Sequence, residues 1–212
     1  TLVHELGHSL HSYFTRGAQP FVTGDYTIFV AEVASTLNEA LLTAHLLRTT
    51  DNPDLQRHLL VQEIEGIRST IFRQTLLAQF ELDMHERVEN RDPLTSDWLS
   101  DRYFDLTSRY YGPALVMDDA VRADWARVPH FYYDFYVYQY ATGKSAALAL
   151  ARQIQTEGQP AVDRYLRFLH SGSSASPIQL LKDAGVDMTS PAPIEQAMSY
   201  FDELLTQLEA LA

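Results

Sequence analysis

The chain contains no cysteine, which excludes both a disulfide framework and a thiolate metal site. That absence suits a reducing compartment, and a cytoplasmic location is the expectation. Basic residues are scarce. Sixteen Lys and Arg stand against 28 Asp and Glu, a net charge of −12, so the clustered cations of a nucleic-acid binder are not available. No apolar run approaches the roughly 18 residues that would span a bilayer. The basic-then-apolar pattern of a signal peptide is missing too. Expected partners therefore include neither nucleic acid nor membrane. The sequence starts Thr1-Leu2-Val3 without Met and enters a helical pattern at once, as a piece of a larger protein cut at the edge of its first helix would.

What is present reads as an ordinary globular domain, 46% hydrophobic and 21% charged over 212 residues. The dominant period is helical, with Leu2, Leu6, Leu10 and Phe14 recurring four apart. Gly24-Asp25-Tyr26 breaks that pattern, and Asp25 is the expected N-cap of a helix reaching about Leu47. Asn52-Pro53 marks the next break. One long helix is expected over residues 54–90, with Leu59, Ile64, Ile67, Ile71, Leu76 and Phe80 in the core. Thr95 or Ser96 opens a helix through Leu99, Tyr103 and Leu106 that Gly112-Pro113 stops. A Tyr-rich helix is expected from His130 to about Gln155, and three shorter helices follow, separated at 158–160, 171–177 and 190–193. No alternating stretch reads as a strand, so the expected class is all-α.

His4-Glu5-Leu6-Gly7-His8 is an HExxH pattern on the first of these helices. Residues four apart lie about 40° apart around a helix and about 6 Å along it, so both imidazoles can reach one ion. Glu5 stands beside them, near where a metal-bound water would sit. Zn2+ lowers the pKa of such a water toward ~7, and the carboxylate can take its proton during attack on a carbonyl. Five residues with three fixed positions also arise by chance, so the motif needs a third ligand. A histidine six residues beyond His8 would supply one, but that position is Phe14. Glu32, in an otherwise apolar stretch over residues 29–35, is the preferred ligand because an unpaired carboxylate there is costly. Glu39, two turns on, competes with it or supports a ligating histidine. His11 shares the histidine face but reads as a packing or hydrogen-bonding residue.

Residues 130–140 hold five of the chain's 12 tyrosines. On a helix, Tyr133, Tyr136 and Tyr140 would share one face. They make either an aromatic core or, with His130, a set of donors to the oxyanion of a tetrahedral intermediate.

These motifs together resemble oligoendopeptidase F, of the thimet oligopeptidase group of zinc metallopeptidases. The resemblance rests on residues 4–14, Gly24-Asp25-Tyr26, residues 29–35 and Asn38-Glu39. It continues through Phe72-Arg73-Gln74-Thr75, Leu94-Thr95-Ser96-Asp97, residues 129–133 and residues 139–143, covering about 1–150. It implies an all-α, multi-helix zincin-type domain with the HExxH helix packed on a second helix that carries a glutamate ligand. It also implies a zinc endopeptidase acting on short oligopeptides through a zinc-activated water. His4, His8 and Glu32 match the metal ligands and Glu5 the general base. His130, with Tyr136 and Tyr140, matches the groups credited with transition-state binding; Tyr133 and Tyr138 stay open as alternatives. Enzymes of this group are about three times as long, so the whole of 1–212 is expected to be a C-terminal catalytic portion without its N-terminal half. Such a portion would expose apolar surface and self-associate, and its own turnover would be weak or absent. The competing readings are a non-catalytic helical module that binds peptides or a partner, and a scaffold whose HExxH is coincidental.

Overall fold

The computed structural model describes residues 2–211. Among them every regular element is helical and no strand occurs, as the periodicity predicts. In chain order the α-helices are α1 (Leu2–Ala18), α2 (Ile28–Thr49), α3 (Pro53–Ile67), α4 (Arg73–Glu89), α5 (Ser96–Tyr111), α6 (Tyr138–Glu157), α7 (Gln159–Leu169), α8 (Pro177–Asp183) and α9 (Ala192–Ala210). They fall into two compact units. The first holds the residues up to Arg68 and those from Thr142 onward; the second is Ser69–Ala141.

Several boundaries follow directly from local chemistry. The Asn52 side chain accepts from the backbone N–H groups of Asp54 and Leu55 at 3.0 and 3.3 Å, capping α3 where Pro53 needs no donor. The Thr95 hydroxyl accepts from Trp98 at 3.3 Å and opens α5. Gly112, at φ 73, closes that helix.

Three expectations need correction. Asp25 does not cap α2: the helix begins at Ile28 after an extended Thr27, and the Asp25 carboxylate instead takes a bond from Arg16 at 3.3 Å, in the last turn of α1. The helix expected over 54–90 is interrupted by a π-helical segment, Arg68–Phe72, between α3 and α4. And α9, at 19 residues, is not short.

In the first unit α2 and α6 are central. Residues 33–37 of α2 and 143–151 of α6 are buried without a break, so these stretches have no solvent face. Leu59, Leu60, Ile64 and Ile67 of α3, Phe168 and Leu169 of α7, and Leu204 of α9 complete that core. The end of α1 is tied to the end of α7. Thr15 donates to the Leu169 carbonyl and Gln19 to that of His170, both at 2.8 Å. Gly172, at φ 53, is required just beyond: a Cβ there would lie 2.1 Å from the Thr23 carbonyl oxygen. The second unit packs Leu76, Leu77 and Phe80 of α4 against Leu99, Tyr103 and Leu106 of α5, with Val137 among them. All six core positions expected in the long helical segment are buried.

The first unit also buries an ion pair that the sequence pattern does not announce. Lys144 Nζ lies 3.1 Å from Glu63 Oε1, with the two side chains 6% and 7% exposed. Removing one partner leaves a buried charge unpaired. Lys144→Met should therefore cost about 3–5 kcal/mol in denaturant unfolding, whereas replacing both, Glu63→Leu with Lys144→Met, should recover most of that loss.

Candidate functional site

The leucine stripe of α1 does not face the core. Leu2, Leu6 and Leu10 are exposed, and the buried residues of this helix are Gly7, His11 and Thr15. The reason lies at Gly7. A Cβ there would meet Ser35 Cα at 2.4 Å and the Ala34 carbonyl oxygen at 2.7 Å, so α1 and α2 approach backbone to backbone. His4, about one turn before that contact, and His8, the next residue after it, are thereby held against α2.

On α2 they meet Glu32. Its Oε2 lies 3.3 Å from His4 Nε2 and 3.6 Å from His8 Nε2, and one ligand atom from each of the three residues lies within 4.8 Å of the others. Tetrahedral ligands at about 2.1 Å from zinc would stand about 3.4 Å apart, so the donor set and its spacing fit that ion. The Glu32 carboxylate is not enclosed as its apolar neighbours suggest; its side chain is 34% exposed, leaving room for a further ligand. The buried Ser35 hydroxyl lies 3.0 Å from Glu32 Oε2 and fixes its rotamer. Sequence reasoning missed this residue, although its i+3 spacing from Glu32 was visible. Glu39 takes the other side of the site: its Oε1 lies 3.2 Å from His4 Nδ1, which leaves Nε2 directed at Glu32. Glu39 is thus the histidine's partner rather than a fourth member of the cluster. Glu5 is exposed on α1, next in sequence to His4.

His11 is buried and stacks on Tyr26 at 3.7 Å with the rings 3° from parallel, and its Nδ1 has no hydrogen-bond partner among the described residues. It is a packing residue, as expected. Burial, with a smaller contribution from His8, pushes its pKa down to about 4.

In the second unit, the helix expected from His130 is absent until Tyr138. Residues Pro129–Tyr132 form a 3-10 turn, and Asp134 and Phe135 then take left-handed conformations at φ 51 and 57. Aromatic and β-branched residues favour a helix weakly, and the turn makes a bond of its own. The Phe135 N–H donates to Glu81 Oε1 on α4 at 2.8 Å. Two such non-glycine residues cost about 1–3 kcal/mol each. The turn nonetheless gathers the expected rings. His130 stacks on Tyr136 at 5.5 Å, and Tyr133 and Tyr140 lie 5.9 and 6.0 Å from His130. The Tyr140 hydroxyl donates to that of Tyr136 at 3.4 Å. Tyr138 is 41% exposed at the start of α6.

Comparison with known proteins agrees with this architecture. Peptidase family M3 matches residues 1–200. The chain belongs to that family. It is 54% identical over 211 residues to the oligopeptidase PepF of Bacillus subtilis, covering all of this chain and 32% of that protein. It is 44% identical to an oligoendopeptidase F homolog of Lactococcus lactis, covering 35% of that protein. The crystal structure of oligoendopeptidase-F from Enterococcus faecium superposes with a TM-score of 0.89 at 48% identity, over 99% of this chain and 38% of that one. The M3 chain described here thus spans about a third of the length of the curated relatives it matches. The resemblance to oligoendopeptidase F holds across the whole chain, including the last sixty residues. No helix among the described residues is long and apolar enough to cross a membrane.

The buried His11 makes stability pH-dependent. Its folded pKa lies below its unfolded value of 6.5, so its stabilisation is complete above pH 6.5 and is lost as pH falls toward 4. The loss is on the order of 3 kcal/mol. Thermal unfolding with metal chelated should show this decline, and His11→Phe should flatten it.

Proposed function

We propose that this chain is the catalytic, zinc-holding portion of a metallopeptidase that hydrolyses short oligopeptides. The observation that carries the proposal is the convergence of His4 Nε2, His8 Nε2 and Glu32 Oε2 on one point. Two imidazoles and a carboxylate with one position open are the donor set of a catalytic rather than a structural zinc site. When bound there, Zn2+ would supply Lewis acidity, polarising the scissile carbonyl and acidifying a water.

The chain's own residues do the rest. His4, His8 and Glu32 hold the ion, Glu39 fixes the His4 ring, and Ser35 fixes the Glu32 carboxylate. Glu5 takes the proton of the attacking water and returns it to the leaving amine. His130, with one or more of Tyr133, Tyr136 and Tyr140, donates hydrogen bonds to the oxyanion of the tetrahedral intermediate. That last assignment is supported by the motif match and by the cluster's own geometry. Membership of family M3 and the printed names of the relatives support peptide substrates. We further propose that the chain self-associates, because Leu2, Leu6, Leu10 and Tyr13 on α1, with Phe21 and Val22, expose apolar surface.

Metal analysis of the purified chain should find about one zinc, and Glu32→Ala should weaken binding well beyond tenfold. Absence of zinc after reconstitution would sink the proposal. In the protein at the full length of its relatives, Glu5→Gln should keep the metal and lose at least about a hundredfold in hydrolysis of a short peptide. Metal binding with no hydrolysis even at the full length of its relatives would leave a helical binding module. Light scattering should give a mass above the 24.1 kDa of one chain, reduced by Leu10→Glu with Phe21→Ser; a monodisperse monomer would refute association.

A further inference from the structure

Glu81 lies outside every motif and makes no ion pair among the described residues, yet it is one of the most completely buried polar side chains, 1% exposed on α4. One carboxylate oxygen accepts the Phe135 N–H at 2.8 Å and the other has no partner among the described residues. An ionised carboxylate left half-satisfied in such a place is costly. Burial raises its pKa above the usual range against smaller opposing effects of the Phe135 bond and His85, which favours the neutral form. A group kept at that cost needs a task. Among the described residues the only hydrogen bond it makes is to the backbone of the left-handed turn that joins Tyr133 to Tyr136.

A second anchor comes from the same helix. His85, one turn beyond Glu81, lies against the Phe135 ring at 4.4 Å. Backbone and side chain of one residue are thus both gripped by α4. Val137, two residues on, is buried in the core that Phe80 occupies beside Glu81. Between these fixed points Tyr136 is left to meet His130 and Tyr140.

We propose that Glu81 is a positioning residue, whose carbonyl-type acceptor holds the Asp134–Phe135 turn left-handed and so sets the Tyr136 and Tyr133 phenols against His130. The inference rests on the reading that these phenols serve peptide hydrolysis, but its physical content does not. Because the task is to accept one hydrogen bond, an amide can perform it and a hydrocarbon cannot.

The test compares Glu81→Leu and Glu81→Gln in the full chain, by hydrogen exchange at the Phe135 amide and by kcat and KM for a short peptide. For Glu81→Leu we expect exchange at Phe135 at least tenfold faster, kcat at least tenfold lower and KM within threefold. For Glu81→Gln all three should stay within threefold of the parent. A folded Glu81→Leu with a protected Phe135 amide and unchanged kcat overturns the proposal, as does a Glu81→Gln that behaves like Glu81→Leu. Should Glu81→Leu fail to fold, the parent decides: a Phe135 amide exchanging at the unprotected rate overturns it, and a protected one with Glu81→Gln intact supports it. Hydrolysis absent also from the protein at the full length of its relatives refutes the peptidase reading, while the exchange comparison on this chain still decides the positioning.

Discussion

The backbone contact between α1 and α2 at Gly7 is the constraint on which the cluster of His4, His8 and Glu32 depends. Zinc-type ligands need nitrogen and oxygen atoms within a few ångströms of one point. Side chains from two helices at an ordinary separation of 8–10 Å would reach that point only in extended rotamers. Deleting the side chain at position 7 lets Ser35 Cα come into direct contact with α1, where even a methyl would overlap at 2.4 Å. The same contact explains why the leucines of α1 are exposed. A helix pressed backbone-first against its neighbour must present small and site-forming residues on that face, and its large apolar residues are displaced outward.

Three carboxylates show how environment divides the labour. Glu63 is buried and neutralised by Lys144, so it is locked and carries no free valence. Glu32 is half-open, braced by the Ser35 hydroxyl, and faces two imidazoles, so one oxygen remains directed at the point the histidines share. Glu81 is buried with a single backbone donor. Residue type alone would treat them alike; burial and partner set make them a structural tie, a candidate metal ligand and a turn anchor.

Much of this was legible from residue order. The all-α class and the core of the long helical segment follow from helical periodicity, which acts at short range in sequence, whereas Glu32, far from His8 in the chain, was chosen on ligand chemistry and on a burial that its 34% exposure does not bear out. Glu39 was legible as one of two alternatives, and only the position of its oxygen beside His4 Nδ1 separated them. The cap of α2 was misread because Asp25 has a better partner in Arg16, a pairing across a loop that local propensity does not weigh. The Lys144–Glu63 pair, at a separation of 81 residues, leaves no local trace at all.

The tyrosine segment is the most instructive departure, because the expected residues cluster by a conformation that was not expected. On a helix, positions 133, 136 and 140 would spread over about 10 Å along the axis at 1.5 Å per residue. The left-handed turn instead brings His130 and the three phenols into one group, with each successive pair of rings between 5.4 and 6.0 Å apart. Helical hydrogen bonds are given up for this, and the strain at Asp134 and Phe135 has to be offset from outside the segment. The bond to Glu81 and the packing on His85 are where the offset comes from. A Tyr-rich stretch with no glycine at its turn here takes its backbone from a distant residue, and His130 meets Tyr140, ten residues on and about 15 Å away along a helix axis, at 6.0 Å.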